Sequence, residues 1–334
     1  MMRFYTDPKG DAYEQLIDFL IKLSDKFVLS EWHEHYGMVK PYTEIMDKLK
    51  PFLVEQCTME EMQAKSGANY SQGTYYIYQC CAEAGMVLKE AVHGLYDWRQ
   101  PQLPEDLCFW DAAGADYLYS VSHEKICGIK MSEEEAEQLA DRIPGLFMEF
   151  EAHRDVDCFI NDAIKHQTDS LTLSSYSLTE IPERIRELKQ LKYLEVFEQD
   201  ITRLPLALFE LDTLETLTLM TADLECIPPE IAKLQQLKHL TIYCGCSDHP
   251  VPGWAPKVKE DLLLVHLPSE LGQLKQLETL SISYTGIKEL PPELEQLTEL
   301  HHLNINGNLI MENPKFLSRM PNLKYVDGSD QFRS

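Results

Sequence analysis

LETLTLMTADLECIPPEIAKLQQ, residues 214–236, places apolar side chains at its positions 1, 4, 6, 11, 14, 18 and 21, which are Leu214, Leu217, Leu219, Leu224, Ile227, Ile231 and Leu234. Positions 4 and 6 have the two-residue period of a strand, and positions 14, 18 and 21 the three-to-four spacing of a helical or turn-like return. Pro228 follows position 14. Its fixed φ and missing N–H suit the first residue of the returning segment. The stretch therefore predicts one coil of chain, and one such coil has no second layer against which to bury its leucines.

The pattern recurs, with units starting at Thr168, Leu191, Leu214, Leu237, Leu277, Leu300 and Leu323. Every interval is 23 residues except the 40 between Leu237 and Leu277. The proline recurs as Pro182, Pro205, Pro228, Pro268, Pro291 and Pro314. Stacked coils cover one another's apolar faces and pair their strands about 4.8 Å apart in a curved parallel sheet.

This pattern, LxxLxLxx(N)xLxxLPxxLxxLxx, resembles the leucine-rich repeat family in its 23-residue, LP-containing form over residues 168–328. The resemblance implies an α/β solenoid of six units plus a C-terminal cap, the cap being residues 313–328. The family's asparagine at position 9 survives only as Asn308; Tyr176, Gln199, Ala222 and Thr285 take its place elsewhere, which predicts an incomplete ladder of turn hydrogen bonds. Upstream, Leu146, Phe147, Phe150, Val156, Phe159, Ile160, Ala163 and Ile164 keep helical spacing after Pro144 and predict a helix capping the first coil. The expected organisation is thus an α+β domain over 1–145, a helical junction over 146–167 and the repeats over 168–334.

The 40-residue interval contains CGCSDHPVPGWAPKVKE, residues 244–260, a surplus of 17 that begins after the strand of the fourth unit. Pro250, Pro252 and Pro256 stiffen it, and Trp254 has no core position in the repeat pattern, so an ordered binding or packing loop on the rim is the leading expectation and a merely tolerated insertion the alternative. Cys244, Cys246 and His249, with Cys226 and His266 in one column of adjacent coils, make zinc geometrically conceivable. Because C-x-C lacks the two-residue separation of a zinc knuckle, no metal or other cofactor is expected.

Strand positions 3, 5 and 7 must point away from the leucine core. They display Tyr193, Glu195, Phe197, Met220, His239, Tyr243, His302, Asn304 and Tyr325 among small hydroxyl residues, with Tyr284 just beyond the fifth strand. Together with Trp254 these are the candidate partner-binding residues, since aromatic and methionine side chains over a polar field make a protein-binding patch. The alternative is that the N-terminal domain covers them within the chain.

Residues 1–145 show no repeat. Tyr13, Leu16, Ile17, Leu20 and Leu23 form a helical stripe, Phe27-Val28-Leu29 an apolar strand, and 107–110 with 117–121 a hairpin around the turn 111–116. Ser132 and Glu135 make a capping box ahead of Ala136, Leu139 and Ile143. The segment 103–125 is similar to parts of small cytosolic Bacillus-type proteins, a resemblance that implies no activity.

Of the 334 residues, 44% are apolar and 25% charged, and the net charge is −25, with 30 acidic against 15 basic residues in 1–167 and 25 against 15 in 168–334. Such a field repels nucleic acid and anionic membrane and steers in a basic protein. No signal-peptide stretch or transmembrane run occurs, and nine scattered cysteines fit reduced thiols, so a cytoplasmic bacterial protein is expected.

Neither a nucleotide-binding glycine loop nor the H-E-x-x-H or G-x-S-x-G pattern occurs. His33-Glu34-His35 is better read as a surface strand or turn, the isolated dyad His123-Glu124 as a satisfied structural histidine at a strand end, and Cys80-Cys81 as one core and one surface thiol. The leading expectation is a non-enzymatic interaction scaffold. A second reading is an acidic immunity or inhibitor protein that neutralises a basic toxin such as a nuclease. A third makes the first domain an enzyme, with the repeats selecting its substrate; it requires a cleft where His33, His35, His123, Cys80 or Cys108 converge.

Overall fold

The computed structural model describes the chain except for residues 33–42, 67–71, 246–253, 255–256, 259–260, 313 and 329–334. Two compact units result, Met1–Glu151 and Ala152–Ser334.

The first unit is α+β. In chain order it holds β1 (Met2–Arg3), α1 (Asp11–Leu23), β2 (Lys26–Trp32), α2 (Thr43–Leu49), β3 (Leu53–Thr58), α3 (Met59–Ser66), β4 (Gly73–Gln79), α4 (Ala82–Ala91), β5 (Glu105–Trp110), β6 (Asp116–Val121), β7 (Ile126–Ile129) and α5 (Glu133–Arg142). The strands form one antiparallel sheet in the order β1-β7-β6-β5-β2-β4-β3. Strand alternation divides its two faces. Phe27, Leu29, Tyr78, Leu107 and Phe109 join the main core with Leu16, Ile17 and Leu20 of α1 and Leu88 of α4, whereas Val28, Tyr75, Ile77 and Trp110 pack on the other face with Met62 of α3. The expected helix stripe holds except at Leu23, the last residue of α1, which is exposed. The capping box is formed: the Ser132 side chain accepts from the N–H of Glu135, and the Glu135 carboxylate accepts from the N–H of Ser132. Neither Cys80 nor Cys81 is a core or fully exposed thiol; both are half-buried, and the Cys81 sulfur caps α4 by accepting from Ala84 N–H.

The junction corrects one expectation. Residues 146–150 are not helical: Met148 bridges to Phe4, and Leu146, Met148 and Phe150 pack in the core of the first unit. Their helix-like spacing reflects burial alone. Helical structure begins with the short 3-10 turn Glu151–Arg154 and continues in α6 (Val156–Lys165), capped by the Asp155 carboxylate on Cys158 N–H.

In the second unit α6 is followed by β8 (Ser170–Ser174), β9 (Tyr193–Phe197), β10 (Thr216–Met220), β11 (His239–Tyr243), β12 (Thr279–Ser283), β13 (His302–Asn304) and β14 (Tyr325–Asp327). These form one parallel sheet in simple sequence order. Every return is a five-residue 3-10 turn whose preceding residue is the repeated proline. This is the leucine-rich repeat solenoid, with Leu171, Leu194, Leu217, Leu240, Leu280 and Leu303 buried in one column. At the N-terminal end Phe159 of α6 stacks on Tyr176, whose hydroxyl donates to the His153 carbonyl at 2.8 Å. Tyr176 thus replaces the family asparagine with a tether to the cap.

The turn ladder is more complete than position 9 implied, because position 8 contributes. Glu198 accepts from the N–H groups of Tyr176 and Leu178, and Thr221 Oγ1 donates to the Gln199 and Ile201 carbonyls. Asn308 accepts from Thr285 N–H and Oγ1 and donates to the Ile282 carbonyl at 2.7 Å. Buried backbone groups are therefore met by whichever neighbouring position holds a polar side chain.

Candidate protein-binding face of the repeats

Strand register decides which side chains become neighbours. The pairs Phe197↔Met220 and Met220↔Tyr243 are directly opposed, so position 7 forms an unbroken row across three central strands. All three side chains are half-buried, while Leu194, Leu217 and Leu240 on the opposite face are enclosed. The Tyr284 ring extends the row, tilted against Tyr243 with centroids 5.2 Å apart. Two local features place it: Tyr284 has a left-handed backbone (φ 52°), and a Cβ on Gly307 would run into its ring. A non-glycine residue in that region carries strain.

Position 3 aligns Tyr193, Thr216 and His239, and further along Thr279, His302 and Tyr325. Tyr193 is 42% and Tyr325 63% exposed. The polar candidates are tied sideways along the sheet. His239 Nδ1 lies 2.9 Å from Thr279 Oγ1, Asn304 donates to Ser281 Oγ at 3.0 Å, and Glu195 accepts from Thr172 Oγ1 at 3.2 Å. His302 Nε2 sits 2.7 Å from Asp327, with its ring edge-on to Tyr325. Beside the face, Lys238 holds the Glu215 carboxyl below the usual carboxylate range. The half-buried area of this surface is mainly aromatic and thioether.

The insert leaves the sheet through Cys244 and Gly245, the latter at φ 73°. Cys244 is 1% exposed and burial pushes its thiol up to about 12, so it packs as core. Trp254 is half-buried, and Lys257 forms an ion pair with Asp223 of the preceding coil. Of the zinc candidates, Cys246 and His249 lie outside the described residues, and Cys226 and His266 are exposed. Among the described residues no cluster of potential metal donors includes Cys226, Cys244 or His266.

In the first unit Cys108 and His123 line one cavity of about 390 Å³, together with Trp32, Asp106, Trp110 and Glu124. Cys80 is not among its lining residues, and His33 and His35 lie outside the described residues. Burial raises the Cys108 thiol well above its ordinary range, which disfavours a nucleophilic thiolate. Burial also pushes the Asp106 carboxyl up to about 7, opposed by the Ser122 N–H and reinforced by Glu105 and Glu124. The bulged strand that brings Asp106 there carried no sequence signal that we read.

Residues 275–317 match the family model of leucine-rich repeats in two copies. A leucine-rich-repeat protein of Leptospira interrogans is 30% identical, covering 49% of this chain and 38% of that one, with a TM-score of 0.39. An internalin of Listeria monocytogenes is 19% identical, covering 52% and 44%, TM-score 0.39. The functional domain of InlJ from the same organism is 25% identical, covering 49% and 30%, TM-score 0.37. The chain spans less than half the length of each of these proteins. No curated protein sequence matches it. Among the described residues no helix is long and apolar enough to cross a membrane.

Proposed function

We propose that the repeat unit is a non-enzymatic interaction scaffold that captures a protein partner on its inner face and on the Trp254 loop. The observation that carries this reading is the row Phe197, Met220 and Tyr243 on three in-register strands, extended by Tyr284. These side chains have no core to enter, and such residues dominate interface energetics because they offer large contact area at small entropic cost. Repeat solenoids supply the extended curved surface for such capture. The net charge of −25 supports a basic partner, drawn in by electrostatic steering. Neutralisation of a basic toxin, such as a nuclease, is the most specific form of this reading. We place the protein in the cytoplasm, in keeping with its odd number of scattered cysteines. An enzymatic first unit has less support, because the Cys108 thiol is held protonated.

The test is affinity capture from the native cells with wild type and with Tyr193→Ala/Phe197→Ala/Tyr243→Ala, at low and high salt. A partner recovered by wild type and lost with the variant is expected, with recovery falling as salt rises if the partner is basic. Equal recovery by both proteins overturns the inner-face reading.

A further inference from the structure

We propose that Glu105, Asp106 and His123 bind one divalent transition-metal ion of the zinc class. Glu105 and Asp106 open β5, and His123 lies in the short turn that follows β6. In a regular strand two consecutive side chains point to opposite faces. Here the pairing of β2 with β5 slips between Val28↔Cys108 and Ser30↔Glu105, so that β5 bulges, and Asp106 takes a left-handed backbone at φ 57°. Bulges of this kind re-aim side chains. As a result one carboxylate oxygen from each acid and a ring nitrogen of His123 all lie within 4.8 Å of one another.

The hydrogen bonding around the cluster is unfinished on one side. Glu105 is 5% exposed; its Oε1 accepts from Gln100 N–H at 2.8 Å, whereas its buried Oε2 has no hydrogen-bond partner among the described residues. Ser122, next to the histidine and fully buried, likewise has no partner for its Oγ among the described residues, while its N–H donates to Asp106 Oδ1. An ionised oxygen withdrawn from water with no donor is costly, and a cation meets that need directly. His123 is steadied edge-on against Trp32, with ring centroids 4.8 Å apart, and Glu124 adds negative charge 3.8 Å from its Nε2.

The donor set selects the ion. Two carboxylates and one imidazole suit zinc and its first-row neighbours, whereas calcium and magnesium take oxygen donors. Three protein donors leave room for a fourth, exchangeable ligand. Asp106 and His123 both line the cavity of about 390 Å³, so that ligand would come from it.

The full chain, with a phosphine reductant present, is titrated with zinc chloride by calorimetry and with cobalt chloride followed by visible absorption. One equivalent is expected to bind wild type, and His123→Ala and Glu105→Gln each to weaken binding by at least roughly tenfold. His123 is partly exposed, so its removal spares the fold, and the amide oxygen introduced by Glu105→Gln would keep the acceptor for Gln100 N–H. His93→Ala, an exposed histidine elsewhere, and Cys108→Ser should bind as wild type does. No binding by wild type, or equal binding by wild type, His123→Ala and Glu105→Gln, overturns the site. Loss confined to Cys108→Ser would assign the ion to a thiol and overturn it equally.

Discussion

The Glu198 carboxylate accepts the backbone N–H of Tyr176, one coil earlier, at 2.6 Å. The same side chain serves Leu178 N–H and is 4% exposed, so removing it leaves two half-buried amides without this acceptor. Glu198→Ala should destabilise the repeat unit by about 1–3 kcal/mol, the cost of an unsatisfied buried polar group. Glu198→Gln, which keeps an acceptor, should cost less. Urea unfolding measures both, and an unchanged midpoint for the alanine variant would show that water replaces the carboxylate at no cost.

Gly307, at φ 70°, lies beneath the Tyr284 ring. Gly307→Ala adds a left-handed alanine and a clash with that ring, and should lower stability by about 1–3 kcal/mol. It should also weaken partner capture, because the displaced ring no longer packs on Tyr243. Thermal melts together with the capture assay separate the two effects. Wild-type capture by the variant would remove Tyr284 from the binding row.

Deleting residues 246–262 leaves Cys244 and Gly245 joined to Leu263 and restores a 23-residue coil between Leu237 and Leu277. The remaining coils pair only with their neighbours, so the far-ultraviolet circular dichroism of the repeats should be retained. The deletion also removes the Leu262 carbonyl, which lies 2.6 Å from where a Cβ on Gly286 would sit. Gly286→Ala should therefore destabilise the full-length chain more than the deleted one, and equal penalties in the two backgrounds would contradict the close approach.

Burial raises the Asp7 carboxyl from 3.8 to about 6, against the lowering effects of Tyr96 N–H and Lys9. The folded chain then holds this proton more tightly than the unfolded chain does. The contribution to stability is therefore greatest below the ordinary carboxylate value, falls as pH rises towards about 6, and stays low above it. The total is at most roughly 3 kcal/mol. Asp7→Asn keeps an oxygen for the 3.0 Å bond from Tyr96 N–H and cannot ionise. Relative to wild type it should gain stability between about pH 4 and about pH 7, as read by denaturant midpoints. Parallel curves for the two proteins would mean that Asp7 ionises as freely folded as unfolded.

The solenoid was legible because one constraint repeats: Leu217 and Leu219 recur in every coil at a spacing that only stacking satisfies. The inner-face columns followed from the same arithmetic, as the register of Phe197, Met220 and Tyr243 bears out. Substitutions that act through context were not legible. Glu198 and Thr221 look like ordinary surface residues until the turn places them beside orphaned backbone groups. Leu146 and Phe150 carry helical spacing yet lie in an irregular segment, because burial on one side of any chain can mimic that period. The Asp106 bulge depends on a strand pairing between residues far apart in sequence, which no local pattern announces.

The simple strand order of the repeats has a kinetic consequence. Each of its strand pairings joins one coil to the next, as Thr216 with Tyr193 and with His239, so closure of each coil needs only a short loop. The first unit must instead bring Phe27 beside Phe109 before its central sheet exists. Local closure is fast and distant closure slow. Refolding from denaturant should accordingly show two phases, with the solenoid complete while the α+β unit is still searching for its central pair.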